Sequence, residues 1–327
     1  MARLVTRLTQ RLGIEHPVLS APMALAAGGA LAAAVTRAGG LGLIGGGYGD
    51  GSWLETQFGQ AGNTRIGCGF ITWSMANQPH LLTDALAHRP AALMLSFGDP
   101  QPFAAEIEAA DVPLICQCQS LDHVRQALDA GAAIIVAQGG EAGGHGNRRA
   151  TFPFVPEVAD LLARQSPDTL LLAAGGIADG RGLAASLMLG ADGVLVGTRF
   201  WASREALVHE GHHAAALAAT GDGTVRTSLP DIARRLDWPK PFDIRVAANA
   251  FTTRWAGRDE DLKAAIEREA PAYSAAFAAG DAQNAGVIVG EAVGLVADVP
   301  PAGEIVTRMI DEAATLLGER ARGFVSA

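Results

Sequence analysis

Between Pro17 and Phe200 the chain repeats one pattern eight times: a short apolar run, glycine or proline punctuation, then a helical stretch closed by glycine. The apolar runs are Pro17–Ser20, Leu41–Ile44, Ile66–Ile71, Ala92–Leu95, Val112–Gln117, Ala132–Ala137, Leu170–Ala173 and Gly193–Val196. They are near-continuous rather than alternating, as strands buried on both faces of a parallel sheet must be. Helical patterns fall between them, and several end in a glycine stop, at Arg37-Ala-Gly-Gly40, Asp129-Ala-Gly131 and Leu189-Gly190. Eight strands with intervening helices predict an α/β fold of the (β/α)8 TIM-barrel type. An open doubly wound sheet is the rival, but the strand number and the placement of the glycine-rich loops favour the barrel.

The pattern changes after Phe200. Residues 202–285 are rich in alanine and charge, carry Pro230, Pro239 and Pro241, and contain no clear strand. This predicts an inserted helical lid domain over 202–285, with the barrel formed by 1–201 and 286–327. The second barrel segment opens with Gly286-Val-Ile-Val-Gly290 and, beyond Pro300-Pro301, reaches the amphipathic Ile305–Leu317, the expected last barrel helix.

Composition narrows the partners. A formal net charge of -9 argues against a nucleic-acid or anionic-membrane surface. Phosphate binding through backbone amides remains compatible with it. The N-terminal arginines interrupt any apolar core, so no secretory signal is read there. Residues 17–35 are uncharged and long enough to span a bilayer, yet Pro17, Pro22 and Gly28-Gly29 mark a strand plus a helix, and no membrane span is expected. Cys68, Cys116 and Cys118 form no disulfide or metal spacing and read as structural thiols in a reducing, cytoplasmic setting. Ala-rich helical surfaces are compatible with a homodimer.

The chemistry concentrates after the sixth strand. Ala137-Gln-Gly-Gly-Glu-Ala-Gly-Gly-His145-Gly places an amide, an acid, glycines and one histidine in a single loop. Glycine lets backbone approach a ligand, and histidine exchanges protons near neutral pH. His145 is therefore the candidate catalytic residue, because a histidine flanked by glycines has little packing reason to be there. Glu141 reads as a helix cap rather than a partner of His145, and Arg148 and Arg149 read equally as anion-steering groups or a solvated loop edge. Ala173-Ala-Gly-Gly-Ile-Ala-Asp-Gly180 and Gly197-Thr-Arg-Phe200 follow the last two strands, where barrels commonly bind phosphate on backbone N–H groups. Ser20-Ala-Pro-Met23 ends the first strand at the same mouth. His209, His212 and His213 share one helix face, but no acid or cysteine completes a metal set, and a solvated lid face is expected.

Taken together, Ala21-Pro-Met23, the His145 loop, Gly175-Gly-Ile-Ala-Asp-Gly-Arg181 and Gly197-Thr-Arg-Phe200 resemble the FMN-dependent nitronate monooxygenases, formerly 2-nitropropane dioxygenases. The resemblance runs from about Thr6 through Phe200 and returns near Gly286–Leu295. It implies a barrel with a helical second domain and an FMN cofactor. It also implies oxidation of alkyl nitronates by O2 to a carbonyl compound and nitrite, with small-molecule substrate and O2 as partners. His145 then matches the catalytic base, Gln138 and Gly143 flavin contacts, Ala21, Pro22 and Met23 the ring, and Gly175, Gly176, Gly197 and Thr198 the phosphate end. Two positions depart from the family pattern. Gly67-Cys-Gly69-Phe70 lacks an asparagine that relatives often carry in the third strand, and Gln117 stands where some carry lysine. Quinone reductases and FMN-type enoyl-carrier-protein reductases share the histidine and glycine loops, so an NAD(P)H-dependent flavin reductase is the alternative enzyme. A non-catalytic barrel binding a phosphorylated metabolite is the alternative outside catalysis.

Overall fold

The computed structural model describes residues 2–320 and 323; Met1 and the remaining residues of the expected 286–327 segment lie outside the described residues. Eleven strands are present among them: β1 (Val18–Ser20), β2 (Leu41–Gly45), β3 (Gly67–Ile71), β4 (Leu93–Ser96), β5 (Leu114–Cys118), β6 (Ile134–Gln138), β7 (Gly144–Gly146), β8 (Leu170–Ala174), β9 (Gly193–Val196), β10 (Thr224–Thr227) and β11 (Asp243–Ala247). All except β7, β10 and β11 close into one parallel barrel in the order β1-β2-β3-β4-β5-β6-β8-β9, with β9 returning to β1 through the Val18↔Val194 register. The expected (β/α)8 TIM barrel is the fold.

Successive side chains of a strand point to opposite sides, and both sides here are dry. Leu19, Leu43, Met94, Ile115, Val136 and Leu172 fill the barrel interior. Val18, Ile44, Leu93, Leu95, Ile135 and Val194 pack outward under the helices. That double burial is why the strands read as unbroken apolar runs. All three cysteines lie in the outer layer, unpaired and buried. Burial pushes the Cys116 thiol up to about 12 and raises Cys68 and Cys118 as well, so they are inert packing groups. The helix Ala302–Thr315 packs against Gly29–Arg37 and Gly180–Met188, the place of a last barrel helix. A Cβ at Gly180 would lie 2.5 Å from Ala313 N, so that helix pair approaches through glycine.

The 202–285 segment departs from the sequence-based expectation. It carries helices Glu210–Ala218, Leu229–Ala233, Ala250–Trp255, Asp259–Ala264 and Ile266–Ala278, but also the two strands β10 and β11. These form an antiparallel sheet in the order β10-β11-β7, pairing Ile244 with His145 and Asp243 with Gly146. Arginines interrupt Thr224-Val-Arg-Thr and Asp243-Ile-Arg-Val-Ala, and that hid their strand character; in β11, Ile244 and Val246 point inward and are fully buried. Two of the three histidines also correct an expectation. His212 is 3% exposed and packs on Phe277, His213 Nε2 donates to Trp201 O at 3.0 Å, and His209 caps its helix through Gly211 N. His212 and His213 are thus packing groups rather than a solvated face, while His209 is exposed as expected and caps the helix. No cluster of metal-ligating side chains occurs among the described residues, and none of their helices is long and apolar enough to cross a membrane.

Candidate active site

The C-terminal ends of the barrel strands open into a cavity of about 490 Å3 roofed by the 202–285 segment. Ala21, Pro22, Met23, Gln138, Gly143, His145, Gly175, Gly176, Gly197 and Thr198 all line it, so the expected catalytic and flavin-binding positions face one space. Arg148 and Arg149 do not. Arg149 instead pairs with Glu157 and lies 4.7 Å over the Phe154 ring.

His145 is held from three sides. Its Nε2 lies 2.9 Å from Asp231 Oδ2, and a carboxylate only accepts, so the proton of that bond sits on Nε2. In the neutral ring Nδ1 is then the bare nitrogen. Trp238 stacks on the imidazole with ring centroids 3.3 Å apart and planes within 9°. Below, Gln138 Nε2 donates to His145 O at 3.0 Å and accepts from Gln119 Nε2 through its own oxygen at 2.9 Å. His145 is 8% exposed; burial lowers its pKa from the ordinary 6.5, opposed by the hydrogen bond and charge of Asp231.

The rest of the loop is pinned by arginines that sequence reasoning missed. Arg226 Nη2 donates to Gly140 O at 2.9 Å and Ala142 O at 3.1 Å, and Nη1 donates to Asp243 O at 2.5 Å. Arg245 Nε donates to Gly140 O at 3.0 Å. Burial, reinforced by neighbouring Arg245, pulls Arg226 down to about 10. Glu141 is the expected helix cap: its carboxylate accepts from Thr151 N and Oγ1 at the start of Thr151–Gln165. Gly143 has a packing reason to be glycine, because a Cβ there would lie 2.5 Å from both Gly290 N and Val289 C.

Similarity to known proteins follows the same geometry. The sequence pattern of the nitronate monooxygenase family matches residues 5–63 and 72–312. The chain belongs to the nitronate monooxygenase family. It is similar to the nitronate monooxygenase of Neurospora crassa, 32% identical over 91% of this chain and 89% of that one. It is also similar to nitronate monooxygenase npaC of Metarhizium robertsii, 36% identical over 92% and 91%. Among solved structures, FabK from Thermotoga maritima superposes with a TM-score of 0.86 at 29% identity, covering 98% of this chain and all of that one. The chain is therefore an enzyme of oxidoreductase type.

Family membership implies FMN, and the cavity fits a flat, phosphorylated group. Gly175 and Gly176 turn after β8 with φ of +99° and +74°. A Cβ at Gly176 or Gly197 would make only ordinary contacts, at 3.6 Å and 3.9 Å, so protein does not crowd the space above either. The N–H groups of Gly176, Gly197 and Thr198 donate to no protein acceptor among the described residues, which leaves a cradle of donors suited to phosphate. Ala21, Pro22, Met94 and Leu195 supply an apolar floor. Of the two family departures, Gly69 has a local cause: a Cβ there would lie 2.4 Å from Pro22 Cγ, so the proline ring occupies the volume an asparagine would need. Gln117 lines the cavity as an uncharged amide, and the cations on its wall are Arg234 and Arg235, from the opposite, lid side.

Asp231, Trp238, Arg226 and Tyr48 escaped the sequence reading. The first three sit in a segment whose partners are remote in the chain. Tyr48 carried a usable signal, an aromatic residue enclosed by Gly45-Gly-Gly and Gly49 directly after an apolar strand.

Proposed function

We propose that this enzyme oxidises alkyl nitronates and nitroalkanes with O2 to a carbonyl compound and nitrite, using FMN and His145. The observation that supports this reading is the bare Nδ1 of His145, fixed by Asp231 and presented on the wall of the cavity whose floor would hold the flavin. Ala21, Pro22, Met23 and Gln138 hold the ring, Gly143 borders it, and Gly175, Gly176, Gly197 and Thr198 hold the phosphate. When bound, FMN accepts electrons from the substrate and passes them to O2.

For a neutral nitroalkane, His145 Nδ1 removes the α-proton while Asp231 stabilises the imidazolium that forms. Lowering its pKa by burial keeps the His145 ring mostly unprotonated at neutral pH, and so ready as a base. For a preformed nitronate no proton is removed; the anion favours the protonated ring, and His145 then positions it through Nδ1–H. Trp238 and the lid segment 202–285 exclude water from the reacting carbon.

Purified protein is expected to show a flavin absorption band and to consume O2 with nitroethane or its nitronate. Rapid anaerobic bleaching of that band by NADH or NADPH, without response to nitronate, would replace this reading with a flavin reductase. No flavin band even after FMN reconstitution would remove the redox assignment.

A further inference from the structure

Tyr48 reaches from the glycine loop after β2 across the cavity to the lid. Its phenol oxygen lies 2.9 Å from Arg234 Nη2 and 3.1 Å from Trp238 Nε1. Guanidinium and indole nitrogens only donate, so the phenol oxygen accepts from both. Its own O–H proton has no acceptor in either partner, and it meets no other acceptor among the described residues. Burial raises the Tyr48 pKa, against the pull of Arg234, so the proton is present at neutral pH.

The same contacts close a circuit around the cavity. His145 bonds Asp231 at 2.9 Å, Asp231 Oδ1 faces Arg234 Nη1 at 3.9 Å, Arg234 and Trp238 both bond Tyr48, and Trp238 stacks back on His145. Tyr48, Arg234, Trp238 and His145 line one space. The circuit thus sets a proton acceptor and an unspent, cation-backed proton donor around the same space.

We propose that Tyr48 O–H, polarised by Arg234, binds the anionic oxygen of the substrate's nitro or nitronate group. The substrate identity rests on the function proposed above; the anion site does not. As the α C–H bond breaks, its proton passes to His145 Nδ1, its electron pair enters the forming C=N bond, and charge moves onto the nitro oxygens. A donor at that oxygen gains strength as the charge develops, which is how fixed dipoles lower such barriers. The competing role for Tyr48 is a latch that only ties the β2 loop to the lid.

The test uses FMN-loaded wild type, Tyr48→Phe and Arg234→Met, titrated with sodium nitrate, a planar anion with the O–N–O geometry of a nitronate head. Binding is read from the perturbed visible flavin band, beside kcat/KM for nitroethane and the thermal midpoint. Nitrate dissociation constants are expected to rise roughly 10- to 100-fold in Tyr48→Phe, the effect of losing one hydrogen bond to a charged group, with FMN content unchanged. Arg234→Met is expected to weaken nitrate as well. Equal nitrate affinity in wild type and Tyr48→Phe, whatever the thermal midpoint, overturns the proposal in favour of the latch, as does the absence of nitrate binding to wild type. Weakened nitrate binding without turnover of any nitroalkane would keep the anion site and remove the assigned reaction.

Discussion

His145 and Asp231, 86 positions apart in the chain, meet at 2.9 Å across the seam between barrel and lid, with Asp231 only 3% exposed. One residue comes from β7, directly after β6, and the other from the short helix Leu229–Ala233. The pair assigns the imidazole proton to Nε2 and so decides which nitrogen is available to substrate. On the proposed function, the 202–285 segment then takes part in the chemistry as well as covering the cavity.

Replacing His145 with alanine is expected to lower kcat/KM for neutral nitroethane about 100- to 10,000-fold, the usual range for a lost general base. Ethylnitronate, already deprotonated, should lose far less. Oxygen uptake with the two forms, compared at one pH, separates these cases. Equal losses would mean that His145 positions substrate and does not take the proton.

Asp231→Asn tests the pair through pH. Burial lowers the His145 pKa and Asp231 raises it back, so removing the charge lowers it further. Activity on nitroalkane needs the neutral base and falls as pH drops through the folded pKa, below 6.5. The acid limb should therefore move to lower pH in Asp231→Asn, while the plateau falls, up to about 10,000-fold where the amide selects the other tautomer. Folding follows the same sign. A depressed histidine pKa leaves stability intact above the unfolded value and loses it as pH falls through the folded one. An acid limb that stays in place or moves upward contradicts this pairing.

Two glycines should fail in different ways. In Gly143→Ala the new Cβ meets backbone of Val289 and Gly290 at 2.5 Å, so about 1–3 kcal/mol of stability should go, read as a lower thermal midpoint. In Gly197→Ala the Cβ has 3.9 Å of clearance, so the flavin-free protein should melt as wild type does while FMN binds more weakly. Flavin fluorescence titration reports the second effect.

Arg226→Met leaves the carbonyl of Ala142 without its donor and that of Gly140 with Arg245 alone. Loosening the loop that carries His145 is expected to lower kcat on nitroethane about tenfold or more, since small misplacements of a reacting group are costly. A stopped-flow measurement of flavin reduction by nitroethane isolates that step. An unchanged rate with an unchanged melting curve would show that Arg245 alone secures the loop.

The barrel was legible because its strands are buried on both sides; expected runs such as Leu170–Ala173 and Gly193–Val196 match β8 and β9 to within a residue. The His145 loop was legible because glycines around a titratable side chain have no ordinary packing explanation. Asp231 was not, since its meaning depends on a contact that only the folded lid creates. β10 and β11 were not, because each has arginine where a buried strand would carry an apolar residue, and those arginines turn out to hold the loop that carries His145. Gly143 shows a third case: the position was expected beside flavin, while the need for glycine comes from the backbone of Gly290.

By hydrogen bonding, β7 belongs to the lid's sheet, although it lies between two staves of the barrel in the chain. A transplanted lid would have to bring an edge complementary to three residues of the host, Gly144, His145 and Gly146, together with an acid aimed at the histidine. Barrel and lid are therefore not interchangeable modules: a new lid fits only where both sides of this short strand change as a matched set.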